Sequence, residues 1–178
     1  MKILVVCFLG CAVVVLVGAA AAQEEKAQND QTASNDLIKR YFVCPRGWTM
    51  IYGGCYIYVP LARTWGRAER NCRSMGGHLA SVRSLKEYRA IEKMIAVTTS
   101  YDKTAWLGAS NAKHPNVWRW SNGEAFIFSY WCRGEPNHGH GRQHCLQMNY
   151  SVVDRKCWDD LQCNAHRPSV CAKNRRRD

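Results

Sequence analysis

The chain has 178 residues, enough for one domain with a real core, and a formal net charge of +11 from 25 Lys and Arg against 14 Asp and Glu. Apart from Lys173 to Arg177 the basic residues are scattered rather than gathered in a stripe, so the charge describes a soluble basic surface and not a nucleic-acid site. Attraction to anionic glycans or bacterial envelopes fits that charge without being specific to it.

Met1-Lys2 gives a short positive start, Ile3 to Val17 is apolar throughout, and Ala19 to Ala22 supplies small residues for cleavage. Residues 1–22 therefore read as an export signal, and the protein as secreted and extracellular. The same run is just long enough to span a bilayer, so a signal anchor is the alternative; the single lysine and the alanine-rich end favour cleavage, with no stable membrane insertion afterwards. Residues 23–43 read as a polar linker or propeptide, since Gln23 to Asp36 lacks both aromatics and cysteine. Tryptophan, tyrosine and cysteine become dense from Cys44 onward, which places the folded domain at 44–173 and a basic tail at 174–178.

Of the ten cysteines, Cys7 and Cys11 lie in the signal; eight remain, Cys44, Cys55, Cys72, Cys132, Cys145, Cys157, Cys163 and Cys171. An even number in an exported domain implies a disulfide framework, with about a hundred pairings open. No C-x-x-C pair is present, which disfavours structural zinc.

Tyr52-Gly53-Gly54, between Cys44 and Cys55, predicts the turn of a small hairpin. Thr64 is placed to cap a helix whose buried stripe is Trp65, Ala68, Cys72 and Met75, and Gly76-Gly77 stops it. Ser84 with Glu87 forms a capping box for a second helix, with Leu85, Tyr88, Ile91 and Ile95 on its apolar face. Beyond Tyr101 the runs Trp106-Leu107-Gly108, Trp118-Arg119-Trp120 and Leu146-Gln147-Met148 predict strands between long loops, giving an α+β domain. Trp106, Trp118 and Trp120 read as core residues, and Trp131 and Trp158 as packing rather than sugar-stacking residues.

Two acidic motifs lie among the cysteines: Glu135-Pro136-Asn137 after Trp131-Cys132, and Trp158-Asp159-Asp160 after Cys157. Several side-chain oxygens from two cross-linked loops suit calcium, which takes about 6–8 oxygen ligands. His138, His140 and His144 offer a transition-metal alternative, although histidines in a glycine-rich loop are more often solvated. Asn149-Tyr150-Ser151 is a glycosylation sequon at Asn149. No nucleophile with an adjacent base is recognisable, so no enzymatic activity is expected.

In order, Gly76-Gly77-His78-Leu79-Ala80-Ser81, Ala105-Trp106-Leu107-Gly108, Trp118-Arg119-Trp120-Ser121 and the stretch from Cys157 to Cys171 resemble a C-type lectin domain over Cys44 to Lys173. Cys145-Leu146-Gln147-Met148-Asn149 and Cys157-Trp158-Asp159-Asp160-Leu161 are similar to secreted fish lectins and type II antifreeze proteins. The resemblance implies the pairs Cys44–Cys55, Cys72–Cys171, Cys145–Cys163 and, as an extra bridge of the fish proteins, Cys132–Cys157. It also implies a cis bond before Pro136 and a calcium set of Glu135, Asn137, Gln143, Asp159 and Asp160, of which Glu135, Asn137, Gln143 and Asp159 would also meet the carbohydrate.

Gln143 stands where the family usually has Glu, and Asp159 where it has Asn. The exchange keeps three carboxylates and two amides, so calcium binding is expected to survive. His138, His140 and Arg142 would weaken it by repulsion, most below about pH 6.5. For a bound sugar the exchange matters more, because a carboxylate only accepts whereas an amide nitrogen donates. E-P-N implies mannose-type ligands; the reversed second pair leaves galactose-type ligands open. The resemblance implies recognition of microbial surface glycans in innate defence, with weak single sites that gain avidity in a homo-oligomer. Two alternatives stand beside it. One is ice binding, although the threonines such surfaces use near the calcium loop are missing after Thr104; the other is calcium-independent binding of proteins or anionic surfaces.

Overall fold

A computed structural model describes residues 44–99, 103–152 and 155–174. The expected signal, linker and most of the basic tail lie outside the described residues. Among those residues no helix is long and apolar enough to cross a membrane.

The chain enters through a hairpin of β1 (Thr49–Ile51) and β2 (Gly54–Arg63). Tyr52 (φ 42°) and Gly53 (φ 88°) are both left-handed, the backbone of a two-residue turn whose twist matches the strands it joins. Helix α1 (Trp65–Ser74) buries Ala68 and Cys72, with Trp65 and Met75 only partly covered. Thr64 occupies its N-cap but makes no side-chain capping bond among the described residues, contrary to expectation; the N–H of Trp65, the first helical residue, donates to the Cys163 carbonyl at 3.0 Å. At its end Gly76 (φ 79°) and Gly77 donate to the carbonyls of Arg73 and Cys72, both at 3.0 Å, as a left-handed C-terminal cap requires.

After the short β3 (His78–Leu79) comes α2 (Leu85–Thr99). Ser84 Oγ accepts the Glu87 N–H at 3.2 Å, while the Glu87 carboxylate reaches the Arg83 N–H and the buried Tyr56 hydroxyl rather than Ser84. Half of the capping box is therefore diverted into fixing the strand below. Tyr88, Ile91 and Ile95 are buried, but Leu85, in the first turn, is exposed at the rim of that face.

The strands β4 (Ala105–Ser110), β5 (Arg119–Trp120), β6 (Cys145–Val152), β7 (Arg155–Leu161) and β8 (Arg167–Asn174) complete a sheet ordered β1-β2-β8-β4-β6-β7, with β3 on β8 and β5 on β4. β4 runs parallel to β8 and the other pairs are antiparallel. One core cluster gathers Tyr56, Tyr88, Leu107, Trp120, Leu146 and Trp158; a second, under α1, gathers Leu79, Trp106 and the cystine sulfurs of Cys72 and Cys171. Trp118, expected in the core, is only partly buried and packs on Phe126 and Trp131.

Among the described residues the disulfides are Cys44–Cys55, Cys72–Cys171, Cys132–Cys157 and Cys145–Cys163, the pairings the resemblance implied. Two helices, a mixed sheet and these bridges make the α+β architecture expected from the sequence.

Candidate metal centre

The site is made where the loop after residue 130 is fastened to β7. Trp131 bridges Trp158 in parallel, the Trp158 N–H donates to the Tyr130 carbonyl at 2.8 Å, and the Cys132 N–H donates to the Trp158 carbonyl at 2.9 Å. The Cys132–Cys157 bond adds a covalent tie at the same place. Beyond it the Glu135 N–H turns back onto the Cys132 carbonyl at 3.0 Å, and the Glu135–Pro136 bond is cis.

Asp160 organises the rest of the loop from below. Its side chain is 0% exposed, and its two oxygens accept the backbone N–H groups of Asn137 and His138, each at 3.0 Å. Burial of an acceptor like this stabilises only if backbone donors meet it, and here they do. Asp159, next along β7, is held from the other side: its Oδ2 accepts from Gln147 Nε2 at 2.6 Å.

Consequently one carboxylate oxygen from each of Glu135, Asp159 and Asp160 lies within 4.8 Å of the other two. Among the described residues no other group of three His, Cys, Asp or Glu side chains converges in this way. The crowding is electrostatically unfavourable. Burial, and then the charge of Asp159, push the Glu135 carboxyl up to about 7. Burial pushes Asp159 up too, against the opposing hydrogen bond from Gln147, with Asp160 adding repulsion. A divalent cation would offset the repulsion in such a cluster.

The two amides expected to join these carboxylates are held in different ways. Asn137 donates its backbone N–H to Glu135 Oε2 and its Nδ2 to Glu135 Oε1, both at 2.9 Å, while its Oδ1 accepts the Gly139 N–H at 2.7 Å and keeps a second lone pair. Gln143 follows the 3-10 turn Gly139–Gly141 and lies against Gly139; a Cβ there would fall 2.1 Å from Gln143 Oε1. That Oε1 is buried and has no hydrogen-bond partner among the described residues. A buried carbonyl oxygen without a donor is costly in a finished site and expected in one that takes a ligand atom.

The three histidines do not form a centre of their own among the described atoms. His138 Nδ1 lies 3.1 Å from Asp160 Oδ2, whereas His144 is bound through Nδ1 to Asn111 and through Nε2 to the Gly141 carbonyl; the His140 side chain is outside the description. Trp158 is fully buried beneath the loop, with Trp131 edge-on to it, both as packing residues. Asn149 is 4% exposed, and its Nδ2, the atom that would carry a glycan, donates to the Lys103 carbonyl at 3.0 Å. A separate cavity of about 330 Å³, lined by Tyr56, His78, Ser81, Arg83 and Lys173 among others, includes none of the candidate ligands.

Sequence reasoning missed Gln147 and Arg167. Arg167 Nε donates to Gln147 Oε1 at 3.0 Å, so the two stand in series behind Asp159. A polar residue between the buried Leu146 and Met148 was the available signal.

Comparison with known proteins places these features in a family. The Lectin C-type domain model matches residues 61–173. Ladderlectin of Oncorhynchus mykiss is 39% identical over 132 residues, covering 74% of this chain and 68% of the relative. A type-2 ice-structuring protein of Brachyopsis segaliensis is 40% identical, covering 76% and 75%. The galactose-specific lectin nattectin of Thalassophryne nattereri is 30% identical, covering 74% and 80%. Among solved structures, a Ca²⁺-dependent type II antifreeze protein in its Ca²⁺-free form superposes with TM-score 0.67 at 34% identity, covering 74% of this chain and 100% of that one. A calcium-independent type II antifreeze protein gives 0.66 at 39%, covering 74% and 95%.

Proposed function

The chain belongs to the C-type lectin domain family, a family of non-enzymatic carbohydrate-binding proteins, and on that premise we propose that it is a secreted, calcium-dependent lectin that recognises microbial surface glycans in innate defence. The observation that carries the reading is the convergence of Glu135, Asp159 and Asp160 from two loops fastened to each other; the buried Gln143 oxygen, without a partner among the described residues, supports it. These residues fit a calcium ion. Glu135, Asn137, Gln143, Asp159 and Asp160 would hold it, three charges and two neutral oxygens matching a hard cation.

Calcium, when bound, supplies coordination positions for two vicinal hydroxyls of a sugar. The residues around it sort those hydroxyls by polarity. Glu135 and Asp159 accept hydrogen bonds, while the amide nitrogens of Asn137 and Gln143 donate. The Glu135-Asn137 pair favours mannose-type ligands. The order of Gln143 and Asp159 favours galactose-type ligands, a specificity that the name of nattectin states for that relative.

Residues 1–22 act as the cleaved signal and 23–43 as the linker, and a homo-oligomer gives the avidity that single sites lack. The similarity to ice-structuring proteins supports a second reading, ice binding on the same scaffold. Retention of the protein on immobilised mannose or galactose in calcium, with release by EDTA, tests the first; thermal hysteresis in a protein that both resins ignore would favour the second.

A further inference from the structure

Gln147 and Arg167 lie outside the five candidate ligands, yet they limit what residue 159 can offer. Gln147, 2% exposed, is the register partner of Asp159 across the β6–β7 pair. Arg167, from β8, donates through Nε to Gln147 Oε1 at 3.0 Å, and through a terminal nitrogen to the His166 carbonyl at 3.1 Å. A guanidinium carries donors only, so the Gln147 amide has one orientation: oxygen on Arg167, NH₂ toward residue 159. There it donates to Asp159 Oδ2 at 2.6 Å.

We infer that Arg167 and Gln147 are a positioning pair that requires a carboxylate, not an amide, at position 159, and so fixes this side of the site as an acceptor for ligand hydroxyls. The inference rests on the lectin reading above and supplies its specificity element.

Donors and acceptors decide which residue position 159 can hold. An asparagine at 159 has two placements. With its oxygen toward Gln147, its NH₂ faces the cluster of Glu135 and Asp160 and offers a cation nothing. Reversed, its NH₂ meets the Gln147 NH₂, donor against donor, in a buried position where neither can turn to water. Aspartate escapes both, since one oxygen accepts from Gln147 and the other remains for the site. A ligand hydroxyl that meets residue 159 must therefore donate. The departure of Asp159 from the usual family residue is built into the sheet behind it, and it explains why the amide of the second pair stands at Gln143 instead.

The test is a polarity swap. Asp159→Asn should lower calcium affinity by about tenfold or more, and Gln147→Met, which removes the donor, by about 10–100-fold. Adding Gln147→Glu to Asp159→Asn should restore most of the loss. A glutamate at 147 accepts both from Arg167 Nε and from the amide NH₂ introduced at 159, which turns the oxygen of that amide into the site. Unfolding midpoints of the wild type, Asp159→Asn, Gln147→Glu and the double variant, all in EDTA, read the same coupling without metal: the double variant should be more stable than the sum of the singles. Unchanged calcium affinity in Asp159→Asn, or a double variant no better than the single, overturns the inference. If the wild type binds no calcium, the lectin reading fails by itself; additive midpoints in EDTA then overturn the positioning pair, and non-additive ones sustain it.

Discussion

Asp160 holds His138 twice: its Oδ2 accepts the His138 backbone N–H at 3.0 Å and faces the ring Nδ1 at 3.1 Å. A fully buried carboxylate thus shapes the loop that carries Asn137, in addition to lending an oxygen to the cluster. Its two functions separate by measurement. Asp160→Asn puts an NH₂ against backbone donors and removes a charge from the cluster. Stability in EDTA should fall by about 1–3 kcal/mol, and calcium affinity by more than tenfold. Thermal unfolding and calcium titration of the variant check the two effects.

The Cys132–Cys157 bond is expected to matter more for the ion than for the fold. Replacing both cysteines by alanine should cost about 2–4 kcal/mol, as for a typical loop-closing bridge. The two acidic loops would then be joined by hydrogen bonds and packing with no covalent tie, so the increase in unfolding temperature on adding calcium should shrink. Equal calcium shifts in variant and wild type would show that the bridge does not preorganise the site.

The Glu135 carboxyl is raised to about 7, by burial first and the Asp159 charge second. In the unfolded chain it titrates near about 4.3. The folded, metal-free protein therefore binds a proton that the unfolded chain has released, so this group makes EDTA-treated protein more stable as pH falls through about 7, and the benefit is lost as pH rises again. Calcium competes with that same proton, so calcium affinity should weaken below about pH 7. Opposite pH trends for stability in EDTA and for calcium affinity, both flattened in Glu135→Gln, are the expected result.

Asn149 is built into the protein rather than displayed on it. Its Oδ1 accepts the Tyr88 hydroxyl at 3.1 Å while its Nδ2 serves the Lys103 carbonyl. Mass spectrometry of the protein expressed with its first 22 residues in a glycosylating host should find this side chain unmodified. Asn149→Gln should destabilise by about 1–3 kcal/mol through lost buried bonds.

Local signals carried well from sequence to structure where one residue type has one physical use. The left-handed Gly76 at the end of α1 and the turn through Gly53 are of this kind. Signals that a distant partner can override carried less well. Glu87 is drawn to Tyr56 and Arg83, so the capping box is half made; the first N–H of α1 goes to the distant Cys163 carbonyl while Thr64 makes no cap; and Trp118 is left half-covered on the loop side. The disulfide pairs came through family resemblance, since cysteine spacing left the pairing open. In the site, the acidic motifs were legible because each follows a cysteine and a tryptophan within a few residues, in a chain that is otherwise strongly basic. Gln147 and Arg167 were not, because their use depends on strand register and on a third strand, which no local pattern encodes.

The central claim is calcium-dependent glycan recognition through the clustered carboxylates, and a glycan array run with calcium and with EDTA tests it most directly. The wild type should bind mannose- or galactose-type glycans only in calcium, and Glu135→Gln and Asp160→Asn should match the wild type in EDTA. Glycan binding of equal strength in all three proteins, with and without EDTA, would contradict it.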